Sequence, residues 1–302
     1  MNILGKRYIF FGLSLLIIIP GLLILFTQGV PLSIDFTGGS LLEVSFSGQS
    51  PETSDIITIY DDIGIDDVQV QTIDSGSYII RSKFMDNETR DAVLASLTSE
   101  IGEVTVIRFD SVGPSIGEQV TQRGALAVGV SSILVVLFIA WSFRGVPNAF
   151  RYGICAILAM IHDVAIIFSI TAFGSIYWGW EIDSLFLTAL LTVIGFSMQD
   201  TIVVFDRIRE NSNIHRRLGY ETLVNHSIVQ TLQRSINTQL MTVEFLLLAL
   251  AMFGGLTLRE FASILLIGLL SGTYSSIFVA APILVLWEKR EWTTWFRRSA
   301  TA

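Results

Sequence analysis

Asp200 is the residue of this sequence whose chemistry stands out most, because it lies within a long apolar run. The run extends from Thr192 to Arg207 and holds no other charged residue before Asp206. An ionised carboxylate in a bilayer interior is costly, and a spanning helix keeps one only where it faces protein, water or a partner. Such residues mark ion or proton paths, so the sequence predicts an integral membrane protein that moves a cation or proton past Asp200.

Arg234 is a candidate counter-charge. The apolar stretch that follows it, Leu240 to Gly254, has only 15 residues and is interrupted by Glu244. Because a spanning helix needs about 20 residues, it must recruit the polar stretch from Arg234 to Gln239, which places Arg234 near the inner membrane boundary. Asp200 lies about 7–8 Å inside the same boundary at 1.5 Å per residue. Consecutive antiparallel helices would therefore hold the two charges at similar depth.

Three further polar residues are candidates for the same pathway. Gln199 precedes Asp200 and ends a stripe of small and polar residues on one helix face, which should face other helices rather than lipid. Asp163, beside His162, is either a proton relay or a tie between helices. Glu244 is either a second relay carboxylate or a neutral acid bonded to a neighbouring helix. Gly268 and Gly272 form a small-xxx-small pair that allows close helix packing.

The elements that position these residues are hydrophobic segments. The chain of 302 residues is 51% hydrophobic and has a mean hydropathy of +0.62, which is too apolar for an ordinary soluble protein. Six segments are long enough, or nearly so, to span a bilayer. They cover roughly 8–27, 124–143, 151–173, 184–205, 236–254 and 260–287.

The composition argues against catalytic and metal chemistry. Cys155 is the single cysteine and lies in a hydrophobic segment, and the three histidines are scattered. No nucleophile–base set or metal cluster is evident, so the sequence predicts neither an enzyme nor a metal or cofactor site.

Charge is segregated along the chain and indicates its orientation. Residues 28–120 carry 4 basic and 16 acidic side chains, a net charge of −12, whereas the remainder carries 15 and 11, a net charge of +4. Most basic residues lie beside alternate membrane ends, which under the positive-inside rule makes both termini cytoplasmic and the acidic segment external. This topogenic pattern explains the basic clusters without a nucleic-acid partner.

The acidic segment has the pattern of a small α+β domain. Alternating apolar residues predict strands over Leu41–Phe46, Val68–Ile73, Tyr78–Phe84 and Val104–Phe109. Helical patterns cover Pro51–Ile63 and Asp86–Ile101. The order β-α-β-β-α-β is that of the ferredoxin-like fold. The predicted organisation is a first transmembrane helix (1–27), an external α+β domain (28–120), transmembrane helices 2–6 (121–287) and a cytoplasmic tail (288–302).

Several strings resemble the SecD/SecF protein-export family of the resistance-nodulation-division (RND) superfamily. They occur in the family's order across nearly the whole chain. The strings are Asp35–Gly39, Val112–Pro114, His162–Val164, Val193–Asn211, Gln233–Thr238, Phe253–Gly255 and Gly272–Ile277. The string around Asp200 is the most specific, although Gln199 stands where the family usually has Asn and Glu244 where it usually has an apolar or small residue.

The resemblance implies an RND-type half of six transmembrane helices with one external ferredoxin-like domain between helices 1 and 2. It implies a bacterial or archaeal plasma membrane location and assembly with a SecD-like subunit and the SecYEG channel. It also implies use of the proton-motive force to assist late, ATP-independent export of unfolded polypeptides, with Asp200 and Arg234 at the positions associated with proton passage.

Two other functions share part of this evidence. An RND-type transporter half for lipids or small molecules would use the same physics of a buried Asp, although such transporters normally carry two halves and larger external domains. A structural subunit that only positions the translocon would need the packing glycines and not Asp200.

Overall fold

The structure, a computed structural model, describes residues 2–47, 50–74, 77–144, 149–239 and 245–290. The chain divides into two compact units. One comprises Met1–Pro31 and Ala127–Ala302, and the other comprises Leu32–Leu126. We call them the membrane unit and the α+β unit. The elements in chain order are α1 (Arg7–Gln28), α2 (Ile34–Thr37), β1 (Gly39–Phe46), α3 (Thr53–Asp62), β2 (Gln69–Asp74), β3 (Ser77–Ser82), α4 (Asn87–Glu100), β4 (Val104–Val112), α5 (Pro114–Ser142), α6 (Ala149–Trp178), α7 (Ser184–Ile214), α8 (Tyr220–Gln239), α9 (Phe245–Phe253), α10 (Leu256–Ser275) and α11 (Ala281–Lys289).

Within the described ranges, five helical stretches are long and apolar enough to cross a membrane. They are Leu4–Gln28, Pro114–Ser142, Ala149–Trp178, Ser184–Ile214 and Leu258–Lys289. The last is α10 and α11 joined by one π-helical turn, Ser276–Ala280. A π-turn inside an α-helix is rare and is frequent at functional sites. The prediction of a helical membrane protein is confirmed.

The predicted fifth span, roughly 236–254, lies partly outside the described residues. Polar α8 ends at Gln239 and apolar α9 begins at Phe245. Residues 240–244, including Glu244, lie outside the described residues, so the count of six transmembrane helices and the role of Glu244 stay predictions.

Glycines allow the central helices of the membrane unit to pack closely. A Cβ atom on Gly268 of α10 would lie 2.4 Å from Val193 Cγ2 of α7, and one on Gly272 would lie 3.0 Å from Ser197 Cβ. A Cβ atom on Gly21 of α1 would lie 2.2 Å from the Cβ of Ser169 on α6. Gly21 and Gly268 leave no room for a side chain and Gly272 leaves very little, so close helix–helix packing here depends on glycine.

The α+β unit has the predicted element order, and its sheet order is β2-β3-β1-β4 with every neighbouring pair antiparallel. This is the ferredoxin-like arrangement, so the predicted domain fold is confirmed. The strands start or end up to three residues from their predicted bounds; β4, for example, continues to Val112. Asp86 caps α4 by accepting a hydrogen bond from the backbone N–H of Thr89 at 2.9 Å.

The core of the α+β unit lies between the sheet and its two helices. Alternate residues of β1 face it, as the period-2 pattern requires. The fully buried members include Leu42, Val44, Ile56, Tyr60, Ile80, Val93 and Leu97.

The glycine pair Gly38-Gly39 joins α2 to β1 by a backbone path that favours glycine. Gly38 has φ +73° and Gly39 has φ +128°. A Cβ atom on Gly39 would lie 2.7 Å from the carbonyl oxygen of Ser82, and one on Gly38 would lie 2.9 Å from Cα of Pro114. The pair therefore serves as a turn that lets β1 and β3 meet.

We expect Gly39→Ala to destabilise the α+β unit by about 2 kcal/mol or more, since it adds backbone strain to a collision with Ser82. Protease resistance of residues 32–126 in the full-length protein, measured in increasing urea, would report the loss. Gly102→Ala is the matched control, because Gly102 has φ +141° with open space around its Cβ position. Equal losses in the two variants would show that the contact with Ser82 contributes nothing.

The start of α8 connects both ends of the membrane unit. Glu221 Oε1 lies 3.1 Å from Arg7 Nη1, and Lys289 Nζ donates a hydrogen bond to Glu221 Oε2. The Asn225 side-chain oxygen accepts from the backbone N–H groups of Ile3 at 2.8 Å and Leu4 at 3.4 Å. We call Arg7, Glu221, Asn225 and Lys289 the terminal clasp. It ties α8 to α1 and α11.

The clasp should respond to acid. The hydrogen bond from Lys289, and then the charges of Lys289 and Arg7, hold the pKa of Glu221 below its ordinary value of 4.5. A carboxylate with a lowered pKa stabilises the folded state fully above 4.5, and that contribution is lost as the pH falls through the lower folded value. We therefore expect the protection of the Ile3 and Leu4 amides against hydrogen exchange, corrected for the intrinsic pH dependence of exchange, to fall at low pH.

Glu221→Gln should speed exchange of the same amides at neutral pH and abolish the acid response, at a cost of about 1 kcal/mol or less. Exchange mass spectrometry of the N-terminal peptide measures both effects. Glu210→Gln is the control, because Glu210 pairs with Arg207 on the exposed surface of α7. An unchanged acid response in Glu221→Gln would contradict the role of the clasp.

Candidate functional site

Asp200 is buried in the membrane unit with half of its carboxylate unsatisfied. Its side chain is 8% exposed. Oδ1 accepts a hydrogen bond from Ser235 Oγ of α8 at 2.7 Å. Oδ2 is also buried and has no hydrogen-bond partner among the described residues. Since a buried unpaired acceptor is costly, Oδ2 is a position where a proton would be held favourably.

Arg234 does not bond to this carboxylate in the described structure. It precedes Ser235 on α8, is exposed, and lies within electrostatic range of Asp200. In the described structure it forms no ion pair with Asp200. The prediction that α7 and α8 bring this region together agrees with the geometry, but the direct contact is Ser235, which the sequence analysis did not single out. In the sequence, the one feature that pointed to Ser235 was its position directly after Arg234.

Gln199 and the polar stripe on α7 face away from the rest of this chain. Ser184, Thr188, Gly195 and Gln199 are exposed, and Thr192 is half-buried. The Thr188 and Thr192 hydroxyls donate to carbonyl groups one turn earlier in their own helix. Within the described part of the chain, most of the stripe therefore lies on the exposed side of α7 and leaves a polar surface beside Asp200.

Asp163 occupies a second, fully bonded carboxylate site. Its side chain is 1% exposed. Oδ2 accepts from Ser197 Oγ at 2.5 Å and from Ser275 Oγ at 2.7 Å, and Oδ1 accepts from Ser271 Oγ at 2.9 Å. Oδ1 also lies 3.1 Å from His162 Nδ1. Asp163 thus joins α6 to α7 and α10, and the geometry favours the helix-tie alternative over the relay.

One helix contact lies between the two carboxylate sites. Thr201 Oγ1 of α7 lies 2.9 Å from Ser276 Oγ at the start of the π-turn. Thr201 follows Asp200, and Ser276 follows Ser275, which bonds Asp163. A shift of α7 against α10 would therefore affect both sites.

The part of the chain that the structure describes contains no group of three or more His, Cys, Asp or Glu side chains placed to hold a metal ion. Cys155 is buried with a free thiol.

The family model for the protein export membrane protein SecD/SecF, C-terminal, matches residues 93–290, which is more than half of the chain. The chain belongs to the SecD/SecF family. A second model, the SecD/SecF GG motif, matches residues 23–49, which include Gly38 and Gly39. The resemblance seen in the sequence is confirmed.

Relatives of this SecD/SecF member match most or nearly all of its length. It is 59% identical to protein translocase subunit SecF of Anaerolinea thermophila over 302 residues, 99% of this chain and 98% of that protein. It is 35% identical to protein translocase subunit SecDF of Thermus thermophilus over 88% of this chain and 36% of that protein.

The crystal structure of Thermus thermophilus SecDF, described as a translocon-associated membrane protein, superposes with a TM-score of 0.82 at 32% identity. The match covers 96% of this chain and 39% of that chain, so this protein spans about two fifths of SecDF. The family and the candidate spans make it a multi-pass membrane protein of protein export, and not an enzyme.

Proposed function

We propose that this protein is an accessory subunit of the Sec translocase that couples the proton-motive force to late, ATP-independent export of unfolded polypeptides. The observation that carries the proposal is the buried, unpartnered Oδ2 of Asp200 within electrostatic range of Arg234. Because Arg keeps its own proton, Arg234 serves as the counter-charge and Asp200 as the carrier. Gln199 lies on the exposed side of the same helix turn.

Protonation at Oδ2 neutralises Asp200 and removes its attraction to Arg234. It also weakens the acceptor of the Ser235 hydrogen bond, so the contact between α7 and α8 at Asp200 loosens, while the bonds of Arg207 and Asn211 to α8 remain. The terminal clasp transmits movement of α8 to α1 and α11. We further propose that residues 28–120 lie outside, where they engage the emerging polypeptide, and that both termini are cytoplasmic, as the charge distribution favours.

A SecD-like subunit covers the polar stripe of α7 in this proposal. A spanning helix does not present polar side chains to lipid where it can pack them against protein. The Thermus thermophilus relative, SecDF, is a chain of which this protein matches 36%, so in that relative the matching region is part of a longer protein. The SecYEG channel is the second proposed partner, and membrane lipid surrounds the remaining apolar surface.

Cysteine cross-linking tests this partner surface. Cys155→Ala provides a cysteine-free background, into which Thr188→Cys or Gly195→Cys places a thiol on the stripe. We expect cross-links to a co-expressed SecD-like chain from both positions. Leu16→Cys is the control and should not cross-link, because Leu16 is 70% exposed on the apolar surface of α1. Efficient reaction from Leu16→Cys alone would place the partner elsewhere.

Export into vesicles tests the function itself. Vesicles containing the channel, a SecD-like subunit and this protein should complete translocation of a pre-initiated chain faster when a proton gradient is imposed, and an uncoupler should remove the gain. A gain that persists without a gradient would instead favour a subunit that only positions the translocon. Gradient-driven movement of lipids or small molecules, with no effect on polypeptides, would favour an RND-type transporter half.

A further inference from the structure

His162 is a buried titratable group that the Asp200 mechanism does not use. Its side chain is 9% exposed, and both ring nitrogens have partners. Nδ1 lies 3.1 Å from Asp163 Oδ1, and Nε2 lies 2.8 Å from Ser14 Oγ of α1. Ser14 is itself 5% exposed. The histidine therefore connects the Asp163 site to the first helix.

The hydrogen-bond chain continues beyond Ser14. Ser14 Oγ lies 3.5 Å from the Tyr274 hydroxyl, which donates its hydrogen to the carbonyl oxygen of Phe10 at 2.8 Å. The imidazole of His162 also stacks on the Tyr274 ring, with centroids 6.2 Å apart at 24°. Residues of α1, α6 and α10 thus meet around one imidazole.

With Asp163 ionised, counting hydrogens distinguishes an imidazolium from a neutral ring that carries its hydrogen on Nδ1. Tyr274 has one hydroxyl hydrogen, and Phe10 takes it. If His162 is neutral with its hydrogen on Nδ1, Ser14 must donate to Nε2, and no hydrogen remains for the contact between Ser14 and Tyr274. If His162 is an imidazolium, Nε2–H donates to Ser14 and Ser14 donates to Tyr274, so every contact carries a hydrogen.

The same heavy-atom positions therefore accommodate both charge states, and only the Ser14 hydroxyl has to rotate. The groups facing His162 suit this change. Asp163 supplies a counter-charge on the same helix, and Tyr274 is the titratable group that α10 presents. From α1 come the Ser14 hydroxyl and the Phe10 carbonyl, and α7 reaches the pair only through Ser197 on Asp163. None of these partners is a cation that would oppose an imidazolium.

We propose that His162 is a second protonation site, at which a proton on Nε2 is transmitted to α1 by reversal of the Ser14 hydrogen bond. The use of this site in energy coupling rests on the proposed function, because α1 continues in sequence into the segment that carries the α+β unit. The site itself does not depend on that function.

Nitrogen-15 NMR of the full-length protein in lipid nanodiscs tests the proposal. His215→Gln and His226→Gln leave His162 as the single histidine, and both ring nitrogens are followed from about pH 5 to about pH 9. We expect the two signals to converge on imidazolium values in one transition. Persistence of a single neutral tautomer, or of the imidazolium, across this range would overturn the proposal.

Variants separate a protonation site from a static tie. Ser14→Ala removes the acceptor of Nε2–H and should reduce the ratio of protonated to neutral imidazole at a given pH about tenfold, while Tyr274→Phe should reduce it less. Ser169→Ala is the matched control, because Ser169 makes the other hydroxyl bond between α6 and α1, to the Ile18 carbonyl, and does not touch His162. A transition unmoved by both Ser14→Ala and Tyr274→Phe would also overturn the proposal.

This measurement needs neither channel nor partner. Its failure would leave proton-driven export through Asp200 intact, and failure of the export experiments would leave the titration of His162 unchanged. The two proposals are therefore tested separately.

Discussion

Asp200→Asn is expected to lower proton-driven export about tenfold or more while the protein still folds and assembles. Asparagine keeps the shape of the side chain and can accept the Ser235 hydrogen bond through its amide oxygen, but it cannot bind and release a proton at physiological pH. The measurement is the rate of completion of a pre-initiated polypeptide in vesicles with and without a proton gradient. The gradient-dependent part should disappear, and the gradient-independent part should remain.

Asp206→Asn is the matched control for this effect. Asp206 lies six residues further along α7, is exposed, and pairs with Arg209 at the helix surface. Its substitution should leave the gradient dependence unchanged. Ser235→Ala should give an intermediate result, because Asp200 remains but loses its single hydrogen-bond donor. Undiminished gradient-driven export in Asp200→Asn would refute proton carriage by this residue.

Asp163→Leu is expected to destabilise the membrane unit by about 3 kcal/mol or more. It removes the shared acceptor of Ser197, Ser271 and Ser275. Ser275 can still donate to the Gly272 carbonyl oxygen, but the Ser197 and Ser271 hydroxyls lose their described acceptor, and each such buried hydroxyl costs about 1–3 kcal/mol. Thermal unfolding of the full-length protein in detergent, followed by loss of helical signal, measures the effect.

Asp163→Asn is the graded comparison, because it keeps one acceptor oxygen and the side-chain volume. It should cost clearly less than Asp163→Leu. If both variants unfold at the same temperature as the wild-type protein, Asp163 is not the tie between α6, α7 and α10 that its bonds indicate.

The organisation of the chain could be predicted from local patterns. Apolar segment length predicts the spans, because a helix needs about 20 residues to cross about 30 Å. Five of the six predicted segments lie in helices of the described ranges that are long and apolar enough to cross a membrane. Period-2 alternation and turn residues give the strands, and their order with α3 and α4 is enough to predict the ferredoxin-like sheet. Asp200 could be singled out for the same reason, since a charge in an apolar run needs no structure to be recognised as costly.

Side-chain partners could not be predicted in this way. The sequence predicted that Arg234 would lie opposite Asp200, and the structure places Ser235 in contact and Arg234 at a distance. The sequence did not decide whether Asp163 is a proton relay or a tie between helices. It also gave no sign that Ser14 or Tyr274 would contact His162. It also predicted that the polar stripe of α7 faces other helices, but it could not say that most of the stripe lies on the exposed side of the described chain.

Hydropathy thus determined which residues enter the membrane and approximately how deep each lies, since depth follows from distance along a helix. Only the tertiary structure decided which way each helix turns its polar residues. That rotation is set by close packing, as at Gly268 against Val193 and Gly272 against Ser197, between residues far apart in the chain. A helix rotated by one residue, about 100°, would keep every depth and lose every partner.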